Sequence, residues 1–227
     1  MTDARDRVLG AVRDALLRAT LPHSAAVRPF YVVPDDQTTK ADRIAQFTSA
    51  LIALTGEVHE AGSLDAICDL IAQIARRDNA TRYLSWSDEA IECPGLAAGL
   101  LSRGMRRVTY DLPVDQAGRL GAARSLATVE LGVTGADAAL SDGGAIVLAS
   151  GPGRGRLASL LPPVHIALVK SDRFYGSLPA LLAARPDLVA RGSNFVVVAG
   201  PSRTADIEMM LTHGVHGPKH VHAILIP

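Results

Sequence analysis

Five short apolar runs constrain this chain more than any other feature. They are Val129–Val133, Ala145–Ala149, Ile166–Val169, Phe195–Ala199 and Ala223–Ile226. Each is too short for a buried helix and lacks polar alternation, the pattern of a strand covered on both faces. Strands of that kind need helices above and below, and the first half of the chain predicts them. A helix over Ala41–Thr55 ends at Gly56, and Glu57–His59 follows as a short strand. Ser63 caps a helix reaching about Arg77, with Leu64, Ile67, Ile71 and Ile74 at helical spacing. Tyr83–Trp86 reads as a strand, Pro94–Arg103 as a helix stopped by Gly104, and Arg107–Tyr110 as a strand. This alternation predicts an α/β fold with a largely parallel sheet and helices on both faces.

Upstream, Val8, Ala11, Val12, Ala15 and Leu16 predict an amphipathic helix over residues 4–19. A connector with Pro22, Pro29 and Pro34 separates it from the rest. The expected division is an N-terminal helix and connector, 1–38, and one α/β domain, 39–227. The helix either packs on that domain or joins subunits of a homo-oligomer.

Composition removes several classes of function. Lys+Arg and Asp+Glu are 23 each among 227 residues, without the basic excess of a non-specific nucleic-acid binder. No run of 18 apolar residues offers a membrane span, and the charged N-terminus lacks a signal peptide's apolar core. The two cysteines, Cys68 and Cys93, fit a reducing cytoplasm and cannot supply the four thiolates that an iron–sulphur cluster usually takes.

The glycine-rich loops between the apolar runs hold the candidate site. In Phe195–Glu208 a strand meets Gly200-Pro201, then Ser202, Arg203 and Thr204, with a helix expected from about Ala205. A helix start at a strand's carboxyl end offers free N–H groups to an anion, and Arg203 adds a fork of donors. The alternative is a simple helix cap, with Arg203 paired to Asp206 or Glu208. In Gly132–Gly144, Thr134, Gly135 and Asp137 follow a strand, and Asp142 stands before Gly143-Gly144. A carboxylate there is suited to general-base or nucleophilic work; an Asx-turn is the structural alternative. The loop Gly151–Arg156 lacks a Walker ending, and Pro152 breaks the dinucleotide spacing, though Arg154 and Arg156 remain available to an anion.

His213, His216, His220 and His222 fall within ten residues. Gly214, Gly217 and Pro218 interrupt helical ligand geometry there, so no metal ligands are assigned. His216, beside Gly217, is read as a polar or acid–base residue, and His165 as either a buried hydrogen-bonded histidine or one facing the crevice.

Together these segments resemble the lactate utilization protein C family, the LUD-domain proteins. The resemblance spans roughly residues 40–227. It rests on Gly132–Asp137, Gly144–Leu148, Arg156-Leu157, Ser159–Pro163, His165-Ile166, Gly200–Glu208 and Gly214–Pro218. It implies a three-layer sandwich similar to ribose-5-phosphate isomerase, glucosamine-6-phosphate deaminase and the CoA transferases, with a mostly parallel sheet and an N-terminal helix. It also implies a part in oxidising L-lactate to pyruvate beside iron–sulphur oxidoreductase subunits, which would hold the clusters, with no cofactor in this chain. The family's acidic position before the glycine turn is usually Glu; here it is Asp142, one methylene shorter.

The expected ligand is a small carboxylate or phosphate. Thr134, Gly135, Asp137, Gly144, Arg156, His165, Gly200, Ser202, Arg203, Thr204, Asp206, Glu208 and Gly217 are its binding candidates, and Asp142 and His216 the catalytic ones. Two other functions compete. One is a stand-alone enzyme of the sugar-phosphate isomerase, CoA transferase or folate cyclo-ligase kind. The other is a non-catalytic assembly or regulatory subunit.

Overall fold

The computed structural model describes residues 4–18, 38–108, 115–192, 194–205, 211–213 and 216–227. The chain divides into two compact units, Met1–Val32 and Val33–Pro227. The first contains helix α1 (Ala4–Arg18), which buries none of its residues; Val8, Val12 and Leu16 are all exposed.

The second unit begins with α2 (Lys40–Ala53), β1 (Glu57–Glu60), α3 (Leu64–Arg77), β2 (Arg82–Ser85), α4 (Asp88–Ile91), α5 (Leu96–Leu101), β3 (Arg106–Arg107) and α6 (Gln116–Leu126). It continues through β4 (Leu131–Gly135), β5 (Ala138–Leu140), β6 (Ala145–Ser150), α7 (Leu157–Leu160), β7 (Val164–Lys170) and β8 (Phe174–Tyr175). It closes with α8 (Leu178–Ala184), α9 (Asp187–Arg191), β9 (Asn194–Val198), β10 (Arg203–Ala205), β11 (Leu211–His213) and β12 (His220–Ile226).

The main sheet has six strands in the order β1-β12-β7-β4-β2-β3, and every pairing in it is parallel. Helices cover both sides of β4, and glycine permits each approach. A Cβ on Gly132 would lie 1.8 Å from the carbonyl oxygen of Ala158 in α7. Three residues on, and so on the opposite face, a Cβ on Gly135 would meet Ile91 of α4 at 3.2 Å. Four of the five apolar runs behave accordingly: β4 and β6 are buried throughout, as are β7 except Lys170 and β12 except His220, whereas β9, from the Phe195–Ala199 run, is only partly buried and exposes Val197. The α3 helix starts at Ser63, whose hydroxyl accepts from the Ala66 N–H, and it buries Ile67, Ile71 and Ile74 as the spacing predicts; Leu64, at its first turn, is exposed. In α2, Thr39 and Asp42 form a reciprocal capping box, and the helix buries Phe47 and Leu51. Phe47 packs edge-on against Phe174, with centroids 5.3 Å apart.

A second sheet, absent from the sequence expectation, has the order β8-β5-β6-β9 and is antiparallel except between β5 and β8. A two-stranded ribbon pairs β10 with β11. This ribbon overturns the helix expected from Ala205. Arg203 stands opposite His213 and Thr204 opposite Thr212, so the backbone donors thought free at a helix start are arranged as an antiparallel ladder. β-Branched Thr204 and Thr212 suit that arrangement.

Candidate functional site

The sequence candidates separate into three groups. The first surrounds α2. The turn from β5 to β6 packs on this helix so closely that a Cβ on Gly144 would lie 2.3 Å from the Leu51 nitrogen, and its φ of 56° also favours glycine. Gly200, at φ 77°, rests on Leu54 at the helix end, where an added Cβ would lie 2.9 Å from the Leu54 Cβ. Beside the Gly144 turn is a cleft of about 600 Å³ lined by Ala45, Gln46, Ser49, Ala50, Ser141 and Asp142. Asp142 is exposed. Its neighbour Ser141 is buried, and the Ser141 hydroxyl has no hydrogen-bond partner among the described residues. A buried hydroxyl without a partner is uncommon, and here its residue lines the same cleft as Asp142. Sequence reasoning passed over Ser141; its only signal was a polar residue closing the apolar Ala138–Leu140 stretch.

Two residues beyond Gly200, the Ser202 N–H donates to the Pro218 carbonyl at 2.9 Å, and the Ser202 hydroxyl accepts from the His216 N–H at 3.3 Å. Gly217 touches Ser202. The Gly200–Ser202 and His216–Pro218 segments are therefore brought together, as the motif order suggested, with His216 exposed. The side chains of Arg203 and Thr204, and all of Asp206 and Glu208, lie outside the described residues.

The second group is sealed. Thr134 and His165 are fully buried, and Thr134 Oγ1 lies 2.9 Å from His165 Nε2. His165 pairs with Gly132 across the sheet, so its ring shares a face with Thr134, two residues on. Burial pushes the His165 pKa down to about 4, and its Nδ1 has no hydrogen-bond partner among the described residues. Neither side chain reaches solvent, which corrects the expectation that both line a crevice. Of the two roles open to His165 in the sequence, the buried one holds. Thr134 sits within the main sheet and Asp142 on an exposed turn of the second, so the site is smaller than the sequence suggested.

The third group is the Gly151–Arg156 loop. Arg154 Nη1 donates to Asp137 Oδ1 at 2.5 Å, and the Ala149 N–H donates to Asp137 Oδ2 at 2.8 Å. The Arg154 guanidinium lies over the Trp86 ring, 5.1 Å from its centroid. Asp137 is 4% exposed and anchors this loop, a correction to its reading as a ligand contact. Arg156 is exposed at the start of α7. Nearby, Glu92 accepts from Lys170 and Arg173; against the upward push of burial, those bonds hold its pKa at about 2. Both cysteines are buried, and burial pushes both thiols up.

Among the clustered histidines, His222 meets a partner from elsewhere. Its Nδ1 lies 3.2 Å from His59 Nε2, and both nitrogens lie 3.7 Å from Glu57 Oε2. Burial lowers both imidazoles, His222 to about 4.

The LUD domain family model matches residues 44–226, nearly the whole second unit. The chain belongs to the LUD domain family. Over 229 residues it is 29% identical to lactate utilization protein C of Halalkalibacterium halodurans, covering 96% of this chain and 95% of that one. It is 29% identical over 203 residues to the Exiguobacterium protein of the same name, covering 85% and 83%. A crystal structure of a DUF162 family protein from Deinococcus radiodurans superposes with a TM-score of 0.57 at 21% identity, covering 84% of this LUD protein and 99% of that chain. That likeness supports the three-layer α/β fold. No helix of the described residues is long and apolar enough to cross a membrane.

Proposed function

We propose that this LUD protein works in lactate utilization, as a component needed to oxidise L-lactate to pyruvate that carries no redox centre of its own. The observation carrying this reading is the end-to-end match to lactate utilization protein C, which spans both units and not the common domain alone. The electrons pass to iron–sulphur partner subunits, because two buried cysteines fall short of a cluster's usual four thiolates.

The chain's own task is to hold a small hydroxy- or keto-carboxylate at the cleft beside α2. Asp142 accepts the ligand hydroxyl, and the unpartnered Ser141 hydroxyl gains the hydrogen bond it lacks. Arg203 and the joined Ser202 and His216 segments supply donors for the carboxylate. An ionised acceptor makes such bonds about twice as strong as neutral ones. The filled Asp137–Arg154 and Glu92–Lys170–Arg173 pairs support the loops from below and do not take part.

Deleting the gene should abolish growth on L-lactate as sole carbon source, and the wild-type gene should restore it. A gene carrying Cys68→Ala and Cys93→Ala should restore it equally, since no thiol here carries electrons. Normal growth of the deletion strain refutes the reading.

A further inference from the structure

Three ligand atoms from two strands form a compact triangle on the face of the main sheet opposite His165. Glu57 and His59 sit two residues apart on β1, so both side chains leave the same face. His222 of β12 pairs with Glu57 across the strands, which places it on that face too. The sides of the triangle are 3.2 Å between His59 Nε2 and His222 Nδ1, and 3.7 Å from each nitrogen to Glu57 Oε2. A point equidistant from all three lies about 2.1 Å from each, the length of a Zn–N or Zn–O bond. Three ligands at right angles around an ion at that distance would stand about 3.0 Å apart. Tetrahedral ligands at that distance would stand about 3.4 Å apart, between the 3.2 and 3.7 Å of this triangle, with the ion slightly out of the ligands' plane.

We infer that Glu57, His59 and His222 bind one zinc-class divalent transition-metal ion that clasps edge strand β1 to β12. Two imidazoles and one carboxylate suit such an ion and not calcium or magnesium, which take oxygen ligands. His222 is nearly buried and His59 largely so, which fixes two of the three ligands, while half-exposed Glu57 leaves an approach from solvent. Three protein ligands leave the fourth tetrahedral position to water. Without the ion the two rings share an N–H···N hydrogen bond. On binding, the ring that donated loses that proton to solvent and takes one up on its other nitrogen, so both lone pairs face the metal and the pair stays neutral. Arg77 donates to Glu57 Oε2 at 3.2 Å. That ion pair is half exposed and weak, and a carboxylate has lone pairs enough for both partners.

The site lies at the amino end of β1, and Glu57 and His59 are outside the cleft described above, so the inference does not depend on the lactate reading. The test is zinc titration of chelator-stripped full-length protein by calorimetry and thermal melting. One ion should bind per chain, and zinc at about a hundred times its Kd should raise Tm by roughly 5–10 °C. Glu57→Gln and His59→Gln should each weaken binding at least tenfold while keeping the wild-type circular dichroism. The double variant His213→Ala/His216→Ala should bind as the wild type does. Cobalt(II) in place of zinc should give the intense visible absorption of a tetrahedral site. No zinc bound by the stripped wild type overturns the inference. So does binding that survives Glu57→Gln and His59→Gln, or that disappears in the His213/His216 variant.

Discussion

Acidification should weaken this fold through His165, by an amount its surroundings set. The imidazole is fully buried between strands and its pKa is held at about 4, against 6.5 for the free side chain. Between those values the unfolded chain binds a proton that the folded chain refuses. The stability contributed by a neutral His165 is therefore complete above pH 6.5 and falls as pH drops toward 4. With each unit between the two values worth at most 1.36 kcal/mol and both ends partly titrated, the loss between pH 6.5 and 4.5 is about 2 kcal/mol. Other groups titrate in the same range, His222 among them, so the measurement needs a partner that lacks only this ring. His165→Leu removes the imidazole and leaves the Thr134 hydroxyl without its bond, which lowers stability by about 1–3 kcal/mol at every pH. Urea unfolding of both proteins from pH 7.5 to 4.5 should show the wild type ahead at neutral pH and the two curves converging or crossing near pH 4.5. A gap that stays constant across the range would refute the argument, since His165 would then not resist protonation when folded.

Two further substitutions test the packing. Gly132→Ala places a methyl 1.8 Å from the Ala158 carbonyl, where backbone and not a flexible side chain must yield, so α7 must lift from β4. Overpacking of this kind typically lowers stability by about 1–3 kcal/mol, and this contact predicts the upper end or beyond, read as a lower urea midpoint at unchanged m-value. Asp137→Asn strips the charge facing Arg154 in a buried pair, with an expected loss of about 3–5 kcal/mol and faster proteolysis in the Gly151–Arg156 loop.

What the sequence made legible was whatever depends on local burial. Most of the apolar runs became inner strands because an unbroken Val/Ile/Leu/Ala stretch is best buried between two layers, β7 and β12 being the clearest cases, but Phe195–Ala199 became the partly exposed edge strand β9. Ser63 could be named as a cap because capping is decided within four residues. The second sheet was hidden: β5 is three residues of Ala and Leu, too short for any periodicity, and it is held between the hairpin partner β6 and the more distant β8. The helix expected from about Ala205 failed because its local cap signals were outweighed by antiparallel pairing of Arg203–Ala205 with Leu211–His213.

The candidate site follows the same division. Only the family resemblance placed Ser202 and the His216 turn in one site; the bonds that join them span fourteen and sixteen residues. Thr134 looked like a crevice residue because it stands before a glycine turn, and His165, opening a strand after Pro162-Pro163, was open to either role; pleat and register place them facing each other inside the sheet. The four clustered histidines gave no metal ligand set along the chain, because glycine and proline interrupt it, and the geometry separates His222 from its neighbours. Strand alternation sends His222 inward, away from its sequence neighbours, to meet His59 and Glu57 from a strand more than 160 residues away. Those two carry a period-two signal in a four-residue strand with no third ligand nearby, so nothing local marks them. A parallel sheet makes such pairings routine, because its neighbours in space are separated in sequence by whole crossover helices. Ligand sets in a fold of this kind are therefore best sought across strand registers and not along the chain.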